Sequence, residues 1–233
     1  MQKLPHKSRI NTFSLWLTLY MLVALLELVG EAFSFKPLIY ATKPLLIPIL
    51  IVFVHQKTKK YKFSLTGLYI ALLFSAIGDD LLLFTSFNDS FFLFGLLSFL
   101  VTQVFYCFIF YKMIRWKINK GISLIVVFFY LLYLLGLLSL VYTSLGGLKV
   151  PVLIYAFVIT IMGVLGAISG IQYKNKFILF GAFIFIVSDS FIALNKFYFN
   201  LSYAELLQVI IMSTYVLAQS FLVLGIIGNK RQQ

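Results

Sequence analysis

Charge is the scarcest commodity in this sequence. Charged residues fill 11% of its 233 positions, and only seven of them are acidic, whereas a soluble domain carries roughly a quarter. Such a chain could not hide its 62% of hydrophobic residues in a water-soluble fold, and the mean hydropathy of +1.02 points the same way. Cysteine occurs once, as Cys107 inside an apolar run, and histidine twice, as His6 and His55 in polar segments. An intrachain disulfide and a His/Cys metal cluster are thereby excluded, and neither metal nor cofactor is expected. No Gly-x-Ser-x-Gly elbow, Walker phosphate loop or Gly-x-Gly-x-x-Gly occurs, so serine-hydrolase, nucleotide-hydrolase and Rossmann chemistries are not indicated.

Aromatics and long apolar runs are abundant. The 26 Phe and 14 Tyr suit lipid-facing and interfacial positions, where amphipathic rings sit well. Apolar runs long enough to cross a hydrocarbon core of about 30 Å cover residues 13–31, 37–54, 64–84, 91–111, 121–143, 150–172, 177–197 and 204–227. They lack the polar/apolar alternation of barrel strands, and backbone groups in lipid must be satisfied within their own segment. The expected fold is therefore all-α, one membrane domain over residues 1–233, a bundle of eight transmembrane helices.

The net charge of +12 is spread between these runs, which marks topology signals rather than a nucleic-acid face. With a cytoplasmic amino terminus, Lys3, Lys7, Arg9, Lys57, Lys59, Lys60, Lys62, Lys112, Arg115, Lys117, Lys120, Lys174, Lys176, Lys230 and Arg231 lie inside. Only Lys36, Lys43, Lys149 and Lys196 fall on the other side or at outward helix ends. The bias puts both termini in the cytoplasm and predicts a multi-pass protein of the plasma membrane, or of the inner membrane in a bacterium. The first run follows a basic stretch, but Glu27 to Phe35 offers no small-residue cleavage site, so it reads as a retained helix. Asn88-Asp-Ser90 and Asn200-Leu-Ser202 match a glycosylation sequon in outward loops, a triplet common by chance.

A charged side chain at membrane depth costs several kcal/mol and generally faces a bundle interior or an aqueous cavity, which makes each a functional candidate. Here these are Glu27, Glu31, Lys43, Asp79, Asp80 and Asp189, with Glu205 near the start of the last helix. At 1.5 Å per residue, Asp79 and Asp189 lie about 22 and 18 Å from the cytoplasmic ends of their helices. Lys43 and Tyr155 lie about 9 and 8 Å from outward ends. All four share the outer half, which predicts a polar cavity opening toward the outer leaflet. The structural alternative is a set of helix-to-helix ion pairs, such as Lys43 with Asp79 or Asp189. Glu31 sits close enough to the aqueous boundary to be simply solvated, which leaves Glu27 as the candidate of that pair. Asp80 points about 100° away from Asp79 and cannot share its cavity equally. Gln103, Tyr106, Gln208 and Gln219 add neutral polar groups that more often bridge helices than bind ligands.

Gly78-Asp79 is echoed by Ser188-Asp189, four helices later, which hints at parallel 4+4 halves. Two buried carboxylates supply the minimal pair for acid/base chemistry, one protonated as acid and one ionised as base. A proton-coupled transporter of small molecules or lipid would use the same groups, and Pro44, Pro48, Gly163, Gly166 and Gly170 could interrupt helices near the midplane as its binding site requires. The same glycines permit close helix packing, within one chain or between two copies, so a homodimer stays open.

The chain resembles the YhhN, or lysoplasmalogenase-like, family of eight-helix membrane proteins over nearly its whole length. The resemblance rests on Thr42-Lys43-Pro44 with Pro48, Gly78-Asp79 with Leu82, and Gly95, Phe99 and Tyr106. It is most specific at Gly181-Ala-Phe-Ile-Phe185, Ser188-Asp189, Ala193 and Phe197, joined by Tyr215, Ala218 and Gln219. Where many relatives carry a His in the fourth helix this chain has Gln103, which cannot supply a proton as imidazole does. The resemblance implies hydrolysis of the vinyl ether bond of a lysoplasmalogen, a lysophospholipid of the bilayer, to a fatty aldehyde and a glycerophospho-amine. Asp79 and Asp189 would be the acid/base pair and Lys43 would steer the phosphate or tune an Asp. Tyr155 would orient water, and Asp80, Glu27, Gln103 and Tyr215 would complete the substrate site. Both aspartates are expected to meet in one wet pocket.

Overall fold

A computed structural model describes residues 12–59, 64–114, 119–199 and 204–232. It forms eight helices: α1 (Thr12–Ala32), α2 (Lys36–Thr58), α3 (Thr66–Leu83), α4 (Ser90–Met113), α5 (Lys120–Val141), α6 (Lys149–Gln172), α7 (Lys176–Phe197) and α8 (Ala204–Gln232). Among the described residues there is no strand, and all eight helices are long and apolar enough to cross a membrane. The chain is a multi-pass integral membrane protein. Of the basic residues behind the expected orientation, Lys3, Lys7, Arg9, Lys60, Lys62, Arg115 and Lys117 lie outside the described residues, as does the sequon at Asn200, and the side chains of Lys230 and Arg231 are likewise undescribed.

Several helix ends depart from the apolar runs. α2 continues to Thr58 and α8 to Gln232, beyond where hydropathy stops, because a helix leaving hydrocarbon keeps its internal hydrogen bonds while its side chains reach water. α5 instead ends at Val141, two residues before its run does, and two single 3-10 turns follow. Gly146 there takes a φ of +50°, a left-handed conformation open to glycine. Polar side chains fix other starts. The Asn119 carboxamide accepts from Gly121 N and Ile122 N at α5, Asn175 accepts from Ile178 N at α7, and Asn88 Oδ1 accepts from Ser90 N at 2.8 Å beside α4.

α2 runs unbroken through Pro44 and Pro48, and α6 through its three glycines. Neither α2 nor α6 is therefore interrupted at these residues. The α6 glycines serve contact within the bundle. A Cβ on Gly163 would run into Ile186 of α7, and one on Gly166 would stand 2.6 Å from Ala182 of the same helix. α8 lies at the centre with 67% of its span buried, whereas α5 is a peripheral, lipid-facing helix with 6%. Successive helices alternate in direction, so the α1–α2, α3–α4, α5–α6 and α7–α8 links gather at one end. The candidate carboxylates lie nearest that end.

Candidate active site

Asp79 is carried on the inward face of α3 by close packing against α4. A Cβ on Gly78 would stand 2.7 Å from the Phe99 ring, and one on Gly95 would stand 2.9 Å from Leu82. Both glycines thus let the helices touch and lay Phe99 and Leu82 beside the carboxylate. Tyr215 of α8 donates to Asp79 Oδ2 at 2.7 Å. Behind it Gln219 Nε2 donates to Ser75 Oγ at 2.9 Å and Tyr106 donates to Gln219 Oε1 at 2.8 Å. This buried network joins α3, α4 and α8, and it gives Tyr106 and Gln219 the helix-bridging work expected of them.

Asp189 of α7 has its own partners. The Tyr155 hydroxyl donates to its Oδ2, and Gln103 Nε2 lies 3.4 Å from the same oxygen. Neighbouring Ser190 bonds to Tyr133 of α5. Each aspartate therefore gives one oxygen to a tyrosine, while Oδ1 of each accepts no hydrogen bond among the described residues. A free carboxyl oxygen beside a cavity is what proton transfer to or from a bound molecule needs.

The expectation of one shared pocket is corrected to two adjoining cavities. One, of about 260 Å³, is lined by Asp79, Lys43, Tyr215 and Ser188 and continues to Thr85, Asn195, Lys196 and Gln208 at the end of the bundle. The other, of about 50 Å³, holds Asp189, Ser190, Tyr133 and Tyr155 at its polar side and is otherwise apolar, bounded by residues such as Leu137, Val152 and Ala193. Leu82, Phe92, Phe99 and Ile192 line both. These four apolar side chains form the wall that the two cavities share.

Lys43 does not form the ion pair weighed as the structural alternative. It pairs with neither aspartate, because its ammonium donates to Glu31 Oε1 at 2.7 Å and lies 3.5 Å from Glu27 Oε1. Thr42 donates to Glu27 as well. The link from α1 to α2 is only three residues long, so it folds the two carboxylates back onto the lysine. Glu31, expected to be solvated, is buried. One cation between two carboxylates leaves this cluster negative if all three are charged. Lys43 lines the larger cavity, but it does not bring spare positive charge to it. Glu27 lines neither of these two cavities, nor does Gln103. Asp80 also lies away from both, as the turn between adjacent helical residues requires, and its Oδ1 is buried without a hydrogen-bond partner.

Lys196 and Asn195 line the larger cavity and were missed as site residues, Lys196 having been assigned only to topology. Lys196 donates to Asp89 Oδ1 at 2.7 Å, with the two side chains 35% and 85% exposed. Its ammonium holds the Asp89 carboxyl below the usual carboxylate range. Their position at adjoining helix ends was the available signal. Among the described residues no cluster of three or more His, Cys, Asp or Glu could hold a metal.

The model of the YhhN family matches residues 38–226. This chain belongs to the YhhN family. It is 33% identical over 170 residues to human lysoplasmalogenase TMEM86A, covering 72% of this chain and 68% of that protein. It is also 33% identical over 176 residues to the Bos taurus protein of the same name, with the same shares covered. No solved structure matches. Of the residues on which the resemblance to YhhN proteins rests, Asp79, Phe99, Ser188, Asp189 and Tyr215 are among those lining the two cavities, while Gly78 and Gly95 set the α3–α4 contact and Gln219 stands behind Tyr215.

Proposed function

We propose that this YhhN protein is a hydrolase of lysoplasmalogen-type lipids, in which Asp79 and Asp189 act on one vinyl ether from two sides. The observation that carries the reading is the pair of cavities sharing a wall, one carrying charged and polar side chains and reaching the end of the bundle, the other almost wholly apolar and lying under lipid-facing α5. That division matches a lysolipid, whose head group is polar and whose chain is not. The alkenyl chain would leave through the apolar cavity while glycerol and phosphate occupy the polar one, with the vinyl ether between them beside Phe99.

In this reading Asp189 donates a proton to the vinyl carbon next to the chain, because its cavity is where the chain lies. The resulting oxocarbenium ion takes water directed by Asp79 on the polar side, and Asp79 accepts the water proton. The hemiacetal collapses to aldehyde and a free glycerol hydroxyl, so one water is consumed and both carboxyl groups are restored by proton return. Tyr155 and Tyr215 hold the aspartates in place. The basic bias of the loops supports a cytoplasmic placement of both termini and hence a mouth in the outer leaflet.

The test is aldehyde release from lysoplasmalogen by purified protein in proteoliposomes, with a saturated lysophospholipid as control. Aldehyde from the vinyl ether alone is expected. No aldehyde, together with proton-coupled uptake of solute or lipid, would replace the hydrolase by the transporter.

A further inference from the structure

The larger cavity ends at Lys196, which also lies over the Phe92 ring with its ammonium 5.4 Å from the centroid. The other lysine lining this cavity is Lys43, already claimed by two buried carboxylates. Among the described residues the one carboxylate paired with Lys196 is Asp89, which is almost fully exposed. Exposed pairs of this kind contribute little, so an incoming anion can take the lysine without breaking the bundle. Asp89 does not line the cavity but stands just outside it, and once released it offers a carboxylate beside the bound anion. Along α7, Lys196 lies about 10 Å from Asp189, a gap that leaves room for a glycerol backbone.

We infer that Lys196 and Asp89 form a head-group clamp for zwitterionic lysolipids, Lys196 binding the phosphate and Asp89 the ammonium that follows it. The pair is itself a zwitterion of matching sense, and binding exchanges its internal contact for two contacts with the lipid. The inference rests on the hydrolase reading for the class of lipid, but its test does not depend on turnover.

Binding is measured with non-cleavable saturated alkyl-ether lipids on the full chain in nanodiscs, comparing lysophosphoethanolamine, the corresponding glycerophosphate without an amine, and alkylglycerol without phosphate. Lys196→Gln should weaken both phosphate lipids roughly five- to tenfold and leave alkylglycerol unchanged. Asp89→Asn should weaken the phosphoethanolamine lipid by a few-fold while the amine-free phosphate lipid binds as well or better, since Lys196 has lost its competitor. The exchanged pair Lys196→Asp with Asp89→Lys restores the tie between α7 and α4 but moves the cation out of the cavity, so it should still bind phosphate lipids weakly. Wild-type binding by the exchanged pair would show a purely structural tie and overturn the clamp. Equal loss for alkylglycerol, or no amine-dependent effect of Asp89→Asn, would overturn it as well. Absence of aldehyde release with these binding shifts intact would sink the hydrolase reading and leave the clamp standing.

Discussion

Each aspartate shares one oxygen with a tyrosine of a neighbouring helix, and that contact decides where the other oxygen points. Tyr215→Phe removes the 2.7 Å bond to Asp79 and Tyr155→Phe the bond to Asp189, without changing side-chain volume. Each should lower kcat roughly tenfold with little change in KM, because a lost hydrogen bond of about 1.5 kcal/mol frees the carboxylate to rotate. Steady-state kinetics on each variant checks this. At this scale Asp79 and Asp189 were legible in the sequence because an ionisable group in hydrocarbon is costly and demands a reason. Lys196 was not, since a lysine at a helix end reads as a topology signal whether or not a cavity lies behind it. Nor was the burial of Glu31, which depends on how closely α1 and α2 fold together.

The α1–α2 hairpin depends on its charges being compensated. Lys43→Met would leave Glu27, wholly buried, and Glu31 without their cation. It should cost about 3–5 kcal/mol, as removal of one partner from a buried ion pair does. Lys43→Met combined with Glu27→Gln and Glu31→Gln should regain much of that loss, and thermal unfolding in detergent would show both effects. The α3–α4 contact is limited by volume. Gly78→Leu drives a side chain into Phe99, already 2.7 Å from a single added carbon, and should cost about 1–3 kcal/mol. It should also depress turnover, because Phe99 lines both cavities. The eight helices could be read from hydropathy since lipid forces every crossing segment to satisfy its own backbone. Their ends could not, because hydropathy marks the edge of hydrocarbon while hydrogen bonding carries α2 and α8 beyond it.

For the molecule as a whole, two cavities meeting at Leu82, Phe92, Phe99 and Ile192 replace the single pocket that the sequence suggested. Helical depth can be counted along a chain, but which apolar side chains stand between two helices is set by packing. The orientation proposed from the positive-inside bias puts the cavity mouth outside, and under it Phe87→Cys, at an exposed loop position, should react with a membrane-impermeant thiol reagent in intact cells once Cys107 is replaced by Ser. Labelling only after permeabilisation would reverse the orientation. The central claim is that Asp79 and Asp189 serve one reaction. It is tested most directly by aldehyde release from lysoplasmalogen by Asp79→Asn, Asp189→Asn and the double variant, each shown to fold by its thermal transition. The account predicts that either substitution lowers turnover by roughly 10²–10⁴-fold and that the double variant is little worse than the singles. Wild-type turnover in both single variants would contradict it.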